Sequence, residues 1–330
     1  MSTDYLSTVQ DVYRKAAEAP EVNLCCVPAA QRYLPELSIP RIMHDMNYGC
    51  GSTVHLQDMR RGRKIAYVGV GGGLEALELA YFSRAPGSVI AVDPVAEMRE
   101  AARRNLEEAA RTNPWFDPSF VDIRDGNALD LPLEDSSVDV AAQNCLFNIF
   151  KTADETGDLE RALSEMHRVL RKNGRLVMSD PITTAPIPES LRQNDVLRAQ
   201  CISGCLSYDA YMKKIVDAGF GAIEVRARRP YRLLSAAEFP ELDGKDVLLE
   251  SVDVAAFKVN IPNDGACVFT GRTAIYSGDA KQFDDGRGHV LLRGVPLAVC
   301  DKTANALDAL GRDDIVSTPS TWHYGGGGCC

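Results

Sequence analysis

Cysteine thiols carry the clearest chemistry in this chain of 330 residues, which contains ten of them. Cys50 lies between two glycines in NYGCGS, so a loop can present its thiol instead of packing it. Cys145 follows an apolar segment in AAQNC, and Cys201 lies in CISG. Because soft thiolates select soft, thiophilic ions, a collection of cysteines of this kind indicates a thiophilic ligand.

Two vicinal cysteine pairs add to this chemistry. The sequence closes on GGGGCC, where Cys329 and Cys330 form a dithiol on a glycine run that keeps it mobile. Such a pair is hard to explain as part of a core, although an incidental pair in a disordered tail is the alternative. The neighbouring His323 would also allow a zinc site. Cys25 and Cys26 are either a second capture pair or part of a packed loop.

The remaining cysteines lie in apolar contexts, and they are Cys205, Cys267 and Cys300. A buried cysteine behaves as a small hydrophobic side chain, so we expect these three to be packed in the core. Cys205 also follows Cys201 by four residues, which makes a shared helical face the alternative there.

Residues 64–93, KIAYVGVGGGLEALELAYFSRAPGSVIAVD, contain elements that would position a ligand beside these thiols. An apolar run at 65–70 predicts a strand, the apolar spacing after Leu74 predicts a helix, and a second strand ends on Asp93. The glycines between the first strand and the helix are Gly69, Gly71 and Gly73. This order is typical of a doubly wound nucleotide-binding fold, whose carboxylate accepts hydrogen bonds from a ribose diol.

The glycine spacing is G-x-G-x-G, which differs from the dinucleotide fingerprint G-x-G-x-x-G. It resembles the first motif of class I S-adenosylmethionine (SAM) methyltransferases, with a generic α/β turn as the alternative. SAM carries no phosphate, so a P-loop lysine is not needed, and the sequence has none here. Tyr67 stands where many methyltransferases place an acid just before the glycines.

The segments after Asp93 resemble the same class of enzyme. Met98, in a helix expected over 96–110, would pack against adenine or against its own helical neighbours. The stretch DGNALDLP resembles the methyltransferase motif G-D-A-x-x-L-P. It places Ala128 in the cofactor loop and Asn127 in the position of the acid, where its amide oxygen would accept a hydrogen bond from the adenine amino group.

Asn144 and Cys145 directly follow a strand expected at 137–142. Ligands of such sheets lie beyond the carboxyl ends of the strands, so this segment carries Cys145 to the rim of the active site. We assign Asn144 to the cofactor site on the same ground. Asp180, at the end of the fifth strand, is a further rim residue, and for both residues capping of the strand end is the alternative.

These elements predict an α/β fold, a doubly wound Rossmann-like sheet of the class I SAM-methyltransferase type. Residues 1–62 would form an N-terminal extension that carries the Cys50 loop and folds over the cofactor mouth. Residues 63–235 would form the SAM-binding methyltransferase domain. Residues 236–330 would form a C-terminal α+β module with the Gly-rich Cys-Cys tail.

Composition limits the classes of partner. The formal net charge of −10 argues against nucleic acid, whose phosphates need a basic surface. No apolar run reaches the ~18 to 20 residues of a membrane span, so we expect no membrane contact. The polar N-terminus lacks the apolar region of a signal peptide. We therefore expect a cytoplasmic monomer whose cysteines are thiols and not a disulfide framework.

The chain resembles arsenite methyltransferases, closest to the branch associated with arsenosugar biosynthesis in bacteria. The segments that carry the resemblance are VGVGGGLEA, NYGCGS, QNCLFNIF, CISGCL, GVPLAVCDKTA and GGGGCC. The resemblance implies that Cys50, Cys145 and Cys201 bind trivalent arsenic and that SAM supplies the methyl group. We expect arsenite or methylarsenite as substrates, in the form of thiol conjugates, with Cys329 and Cys330 capturing arsenite from a complex with glutathione, the expected thiol reductant.

The expected chemistry needs no general base. Arsenic(III) held by three thiolates keeps a lone pair, the SAM methyl is electrophilic, and no proton has to leave arsenic. The protein would mainly supply positioning, which contributes roughly 7 to 11 kcal/mol in favourable intramolecular models. Two alternatives stay open: a SAM methyltransferase for an organic small molecule or thiol, and a non-catalytic, thiol-rich metal-binding or metal-sensing protein.

Overall fold

The structure is a computed structural model that describes residues 5–21, 24 and 34–322. Both vicinal cysteine pairs, Cys25 with Cys26 and Cys329 with Cys330, lie outside the described residues. No helix within the described ranges is long and apolar enough to cross a membrane.

Helices and strands alternate through the first two thirds of the chain. The α-helices are α1 (Tyr5–Glu18), α2 (Arg41–Asp45), α3 (Leu74–Ser83), α4 (Ala96–Thr112), α5 (Asp158–Val169), α6 (Glu189–Arg192), α7 (Asp195–Ala199), α8 (Tyr208–Asp217) and α9 (Asp301–Asp308). The strands are β1 (Ile65–Val68), β2 (Val89–Asp93), β3 (Val121–Asp125), β4 (Val138–Asn144), β5 (Leu170–Thr183), β6 (Ala222–Leu234), β7 (Val247–Phe257), β8 (Cys267–Phe269), β9 (Thr273–Tyr276), β10 (Gln282–Asp284), β11 (Val290–Leu292), β12 (Leu297–Ala298) and β13 (Ile315–Ser317). Short 3-10 helices occupy Pro118–Phe120, Phe147–Ile149 and Pro240–Leu242.

Eight strands form the central sheet in the order β3-β2-β1-β4-β5-β7-β6-β8. The strands from β3 to β5 in this order are parallel, and β7 runs antiparallel to both of its neighbours. All residues of β1 and β2 are buried, as expected for parallel strands covered by helices on both faces. This architecture confirms the predicted class I methyltransferase fold.

Strand β7 changes the expected division of the chain. It comes from the segment assigned to the C-terminal module, yet it pairs with β6 along its whole length and with β5 from Leu249 to Phe257. Strand β8 adds one further parallel pairing on β6. The central sheet therefore continues to Phe269, beyond the expected boundary at residue 235.

The N-terminal extension packs over the carboxyl end of the sheet. Helix α1 contacts α4 and α7, burying Tyr5 and Val9 on its inner side. Further along, the side chain of Asp58 is fully buried and pairs with Arg175 of β5 and Arg226 of β6. Burial acts to raise the pKa of Asp58, but the hydrogen bonds and charges of the two arginines lower it below its ordinary value. This ion pair attaches the extension to the sheet.

The C-terminal module has a small core of its own. Strands β12, β9 and β13 form one sheet, β10 and β11 form another, and α9 packs against β8 and β13. Strands β8 and β9 are separate because Gly271 has a φ of +83° and turns the chain between them.

Candidate active site

The turn between β1 and α3 is built on backbone conformations that favour glycine. Gly69, Gly71 and Gly73 have φ values of +85°, +51° and +87°. Gly73 is the N-cap of α3, and Gly69 donates its N–H to the carbonyl of Val92 at 2.9 Å. The turn therefore leaves the end of β1 sharply and keeps its backbone open toward a ligand.

A single cavity gathers most of the predicted cofactor residues beside this turn. Its wall includes Gly69, Gly71, Asp93, Met98, Asn127, Ala128, Asn144 and also Cys145. Gly73 is absent from this wall, since its place is at the start of α3. Helix α1 closes one side with Leu6, Val9 and Tyr13, so the expected cover over the cofactor mouth is made by the first helix of the extension.

Asp93, at the end of β2, holds the cavity wall in place. Its carboxylate accepts the N–H of Val70 at 3.0 Å and that of Val95 at 2.9 Å. Burial raises the pKa of Asp93 to about 6, although these two hydrogen bonds act to lower it. Each carboxylate oxygen has a second lone pair, so the group can still accept hydrogen bonds from a diol.

Glu75 is a site residue that the sequence analysis missed. It lies on the first turn of α3, and its carboxylate accepts the Tyr67 hydroxyl at 2.9 Å and the Thr53 N–H at 2.9 Å. Glu75 and Tyr67 both line the cavity. Burial raises the pKa of Glu75, while hydrogen bonds from Thr53, Tyr67 and Asn144 lower it. Glu75 thus brings a carboxylate to the place where Tyr67 replaces the usual acid; the signal in the sequence was an acid two residues after the last glycine.

The three residues predicted to lie near adenine, Met98, Asn127 and Ala128, differ in how available they are to a ligand. Met98 is buried on α4 and faces the cavity together with Val95. Ala128 is also buried. The side-chain oxygen of Asn127, however, already accepts the N–H of Leu129 at 3.0 Å, which leaves one lone pair for a ligand.

Cys50 is held by close packing of its loop on the ends of the strands. Asn144, the last residue of β4, accepts the Cys50 N–H and donates to the Gly51 carbonyl, both at 3.0 Å. A Cβ on Gly49 would lie 2.4 Å from Asn144, and one on Gly51 would lie 2.1 Å from the hydroxyl of Ser179. The two glycines are therefore needed for approach, and the buried Cys50 thiol lies 3.5 Å from the same hydroxyl.

Cys145 and Cys201 share an unusual backbone geometry. Their φ values are +60° and +55°, in the left-handed region that non-glycine residues rarely adopt. The Cys201 thiol donates to the Cys145 carbonyl at 2.9 Å, and the Cys145 N–H donates to the Ser179 carbonyl at 2.7 Å. Such strain of order 1–3 kcal/mol per residue persists only where the surroundings impose it, and it is typical of functional sites.

A buried polar cluster lies under the thiols. Asp180 of β5 is fully buried and accepts hydrogen bonds from the Tyr211 hydroxyl at 2.5 Å, from the Phe147 N–H at 3.2 Å and from the Gln143 amide. Burial and the Asp180 charge raise the pKa of Tyr211 well above its ordinary value, with smaller contributions from Cys50 and Cys145. The Tyr211 hydroxyl is therefore neutral and donates its proton to the hydrogen bond with Asp180.

Hydrogen-bonding contacts place the three candidate arsenic ligands near one another. Cys50 and Cys145 both contact Ser179 of β5, and the Cys201 thiol donates to the Cys145 carbonyl. They are thiols and not disulfides, as are Cys205, Cys267 and Cys300. Within residues 5–21, 24 and 34–322, however, no three His, Cys, Asp or Glu side chains are arranged as a metal-binding group. The structure thus brings the three cysteines together without placing their sulfurs around a common point. Cys205 and Cys300 are buried as expected, whereas Cys267 is half-buried.

Comparison with known sequences agrees with this architecture. A family described as "Methyltransferase domain" matches residues 66–178, and one described as "Domain of unknown function (DUF8838)" matches residues 263–314. An arsenite methyltransferase from Halobacterium salinarum is 30% identical over 181 residues, 55% of this chain and 43% of that protein. An arsenite methyltransferase from Aquipseudomonas alcaligenes is 27% identical over 260 residues, 78% of this chain and 72% of that protein. The chain spans less than half the length of the Halobacterium relative.

A solved structure shares the fold. It is that of an arsenic(III) S-adenosylmethionine methyltransferase from Chlamydomonas reinhardtii, with a TM-score of 0.59 at 21% identity, covering 89% of this chain and 99% of the other. Residues 66–178 thus match a methyltransferase domain, the fold is that of class I SAM methyltransferases, and the chain is similar in sequence to arsenite methyltransferases.

Proposed function

We propose that this protein methylates trivalent arsenic bound to Cys50, Cys145 and Cys201. The observation that carries the proposal is that these three buried cysteines are connected through Ser179 and the Cys145 carbonyl, and that Cys145 lines the cofactor cavity. Two relatives of this chain are named arsenite methyltransferase, and soft thiolates select thiophilic ligands. Both points support arsenic as the substrate.

The cavity suits SAM by the chemistry of its donor groups. Asp93 would accept the ribose hydroxyls, Glu75 would face the ammonium of the methionine part, and the apolar wall at Met98 would take the adenine. When bound, SAM supplies an electrophilic methyl group. Helix α1 and residues 46–49, which precede Cys50, line this cavity, so they would shield bound SAM from solvent.

The thiols have to exchange hydrogen bonds for bonds to arsenic. Cys201 now donates to the Cys145 carbonyl, and Cys50 lies beside Ser179. Binding of arsenic would draw the three sulfurs to a common point and would leave the arsenic lone pair available for the new bond to carbon. Positioning of this kind replaces general-base catalysis, since no proton leaves the arsenic.

The terminal cysteine pair would deliver arsenic to the site. Arsenite or methylarsenite would enter as thiol conjugates, with glutathione as reductant, and Cys329 and Cys330 would capture it. The physiological role would be detoxification or a step toward arsenosugars. Deletion of Cys329 and Cys330 should lower turnover at limiting arsenite, and unchanged kinetics would contradict their role in delivery.

Arsenic speciation tests the main reaction. The purified chain is mixed with arsenite, SAM and glutathione, and the products are separated by chromatography. We expect methylated arsenic, with one S-adenosylhomocysteine formed per methyl group. Cys50→Ser, Cys145→Ser and Cys201→Ser should each abolish it, whereas the matched control Cys205→Ser, whose hydroxyl can still donate to the Cys201 carbonyl, should stay active. Binding of SAM without any arsenic methylation would instead indicate an organic acceptor.

A further inference from the structure

A second pair of thiols lies in the C-terminal module, outside the site described above. Cys267 begins β8, and Cys300 is the N-cap residue of α9. The two elements pack against each other, which places Cys267 and Cys300 on neighbouring segments of the module. Both lie within residues 263–314, the segment that matches a domain separate from the methyltransferase domain.

Hydrogen bonds on both sides of Cys267 fasten its strand to the start of α9. On one side, the Lys302 ammonium donates to the Asp264 carboxylate at 2.5 Å and to the Gly265 carbonyl at 2.7 Å. On the other side, the Thr270 hydroxyl donates to the Asp301 carboxylate at 2.6 Å. These contacts hold the two thiols in register, so their proximity is built into the module.

The two thiols differ in their surroundings. Cys300 is buried, with its sulfur 3.2 Å from the Thr303 hydroxyl, which in turn lies 3.4 Å from a ring nitrogen of His289. Cys267 is half-buried and provides a route in from solvent. Burial lowers the pKa of Lys302, but its hydrogen bond to Asp264 and the charges of Cys267 and Cys300 raise it, so the ammonium would offset the charge of either thiolate.

We propose that Cys267 and Cys300 together bind a monosubstituted trivalent arsenical, R–As(OH)2, through both sulfurs. Two sulfurs match the two exchangeable ligands of such a compound, whereas arsenite offers three. The reaction is R–As(OH)2 + 2 Cys–SH → R–As(S–Cys)2 + 2 H2O. Two As–S bonds replace two As–O bonds, the thiol protons leave in water, and nothing is oxidised or reduced.

This stoichiometry also fits the protonation of the pair. Burial and the neighbouring Cys300 raise the pKa of the Cys267 thiol, with Lys302 acting in the opposite direction. A divalent metal ion would have to displace those protons, whereas an arsenical carries the hydroxides that accept them. The two-thiol site is therefore better suited to an arsenical than to a metal ion. If the proposed function holds, a singly methylated product would belong to this ligand class.

Protection from alkylation tests the pair directly, because trypsin places Cys267 in the peptide 259–272 and Cys300 in the peptide 294–302, each as the sole cysteine. The full chain, purified under reductant, is incubated with phenylarsine oxide, and alkylation of Cys267 by iodoacetamide is followed by mass spectrometry. We expect strong protection in the wild type. Loss of the second sulfur in Cys300→Ser should weaken that protection about 100-fold or more, as in other two-point attachments.

Two further variants keep the test decisive. Cys50→Ser should retain protection of Cys267 while losing arsenic methylation, which separates this site from the proposed active site. Cys267→Ser, at a half-buried position, should fold normally and bind one arsenical fewer by intact mass. Protection that persists in Cys300→Ser would overturn the proposal. So would a disulfide between the two peptides before the arsenical is added, since the pair would then be a redox couple.

Discussion

The side chain of Asn144 holds the backbone on both sides of Cys50. Its oxygen accepts the Cys50 N–H and its nitrogen donates to the Gly51 carbonyl, each at 3.0 Å. The same side chain also acts to lower the pKa of Glu75 in the cofactor cavity. Asn144 thus connects the loop of one proposed arsenic ligand to the proposed methionine-binding carboxylate, and it precedes a second ligand, Cys145, in the chain.

Replacing Asn144 with Asp should therefore impair arsenite methylation. The carboxylate can still accept from Cys50, but it cannot donate to the Gly51 carbonyl, and it adds a negative charge beside Glu75. We expect a loss of roughly 10- to 100-fold in rate, comparable with removal of the hydrogen-bond partner of a metal ligand. The measurement is the initial rate at saturating SAM; a rate equal to wild type would show that the bond to Gly51 is dispensable.

Gly51→Ala should displace the Cys50 loop. The added Cβ would lie 2.1 Å from the Ser179 hydroxyl and 2.2 Å from the Asp253 carboxylate, so the loop has to move. Misplacement by about 1 Å can cost roughly 100-fold in rate, and we expect a loss of that order in arsenite methylation. The control is Gly62→Ala, with φ +76° and nothing within 4 Å, which should lower stability and leave the rate unchanged.

Glu75→Gln should weaken SAM binding, because the neutral amide loses its attraction for the ammonium of the methionine part. Hydrogen bonds to charged groups contribute about 1.5 to 3 kcal/mol, so the Kd for SAM should rise roughly 10- to 100-fold. Isothermal titration calorimetry measures the effect. The control ligand is 5′-methylthioadenosine, which has no amino-acid part; an equal loss of affinity for it would mean that Glu75 only supports the fold.

Binding of SAM should depend on pH through Asp93. Burial raises the pKa of this carboxyl to about 6, and the ionised form is the one that accepts hydrogen bonds from a ribose diol. Affinity should therefore be constant above about pH 7 and fall as the pH drops through 6, by up to about tenfold per unit. Asp93→Asn should bind weakly with a flatter profile, and an identical pH profile in this variant would assign the titration to another group.

Asp58→Asn should destabilise the fold. The variant leaves the arginines at 175 and 226 facing a buried neutral group, and breaking a buried ion pair costs about 3 to 5 kcal/mol in the free energy of unfolding. Denaturant unfolding at neutral pH measures this. Asp122→Asn, which removes an exposed ion pair with Arg124, should cost less than about 1 kcal/mol.

The lowered pKa of Asp58 also predicts the direction of acid unfolding. Its stabilising contribution is complete above the unfolded pKa of about 3.9 and is lost as the pH falls through the lower folded value. Wild type should therefore lose more stability on acidification than Asp58→Asn. Parallel acid-unfolding curves for the two proteins would contradict this assignment.

Local patterns were enough to predict most of the methyltransferase fold. Neighbouring residues determine the buried runs of β1 and β2, the glycine turn and the helical spacing after Leu74. These elements are therefore visible in the sequence alone. The same reasoning anticipated that Gly69, Gly71, Asp93 and Cys145 would face one cavity, because the strand ends of a parallel sheet meet at one edge.

Contacts between distant segments required the tertiary structure. Pairing of β7 between β5 and β6 brought residues 247–257 into the methyltransferase sheet, and the turn at Gly73 pointed Glu75 at Tyr67. The meeting of Cys267 with Cys300 depends on how β8 packs against α9, not on their apolar surroundings in the sequence. Periodicity and turn chemistry act over a few residues, whereas these contacts arise from the docking of whole elements, whose free energy is spread over many side chains and leaves no local pattern.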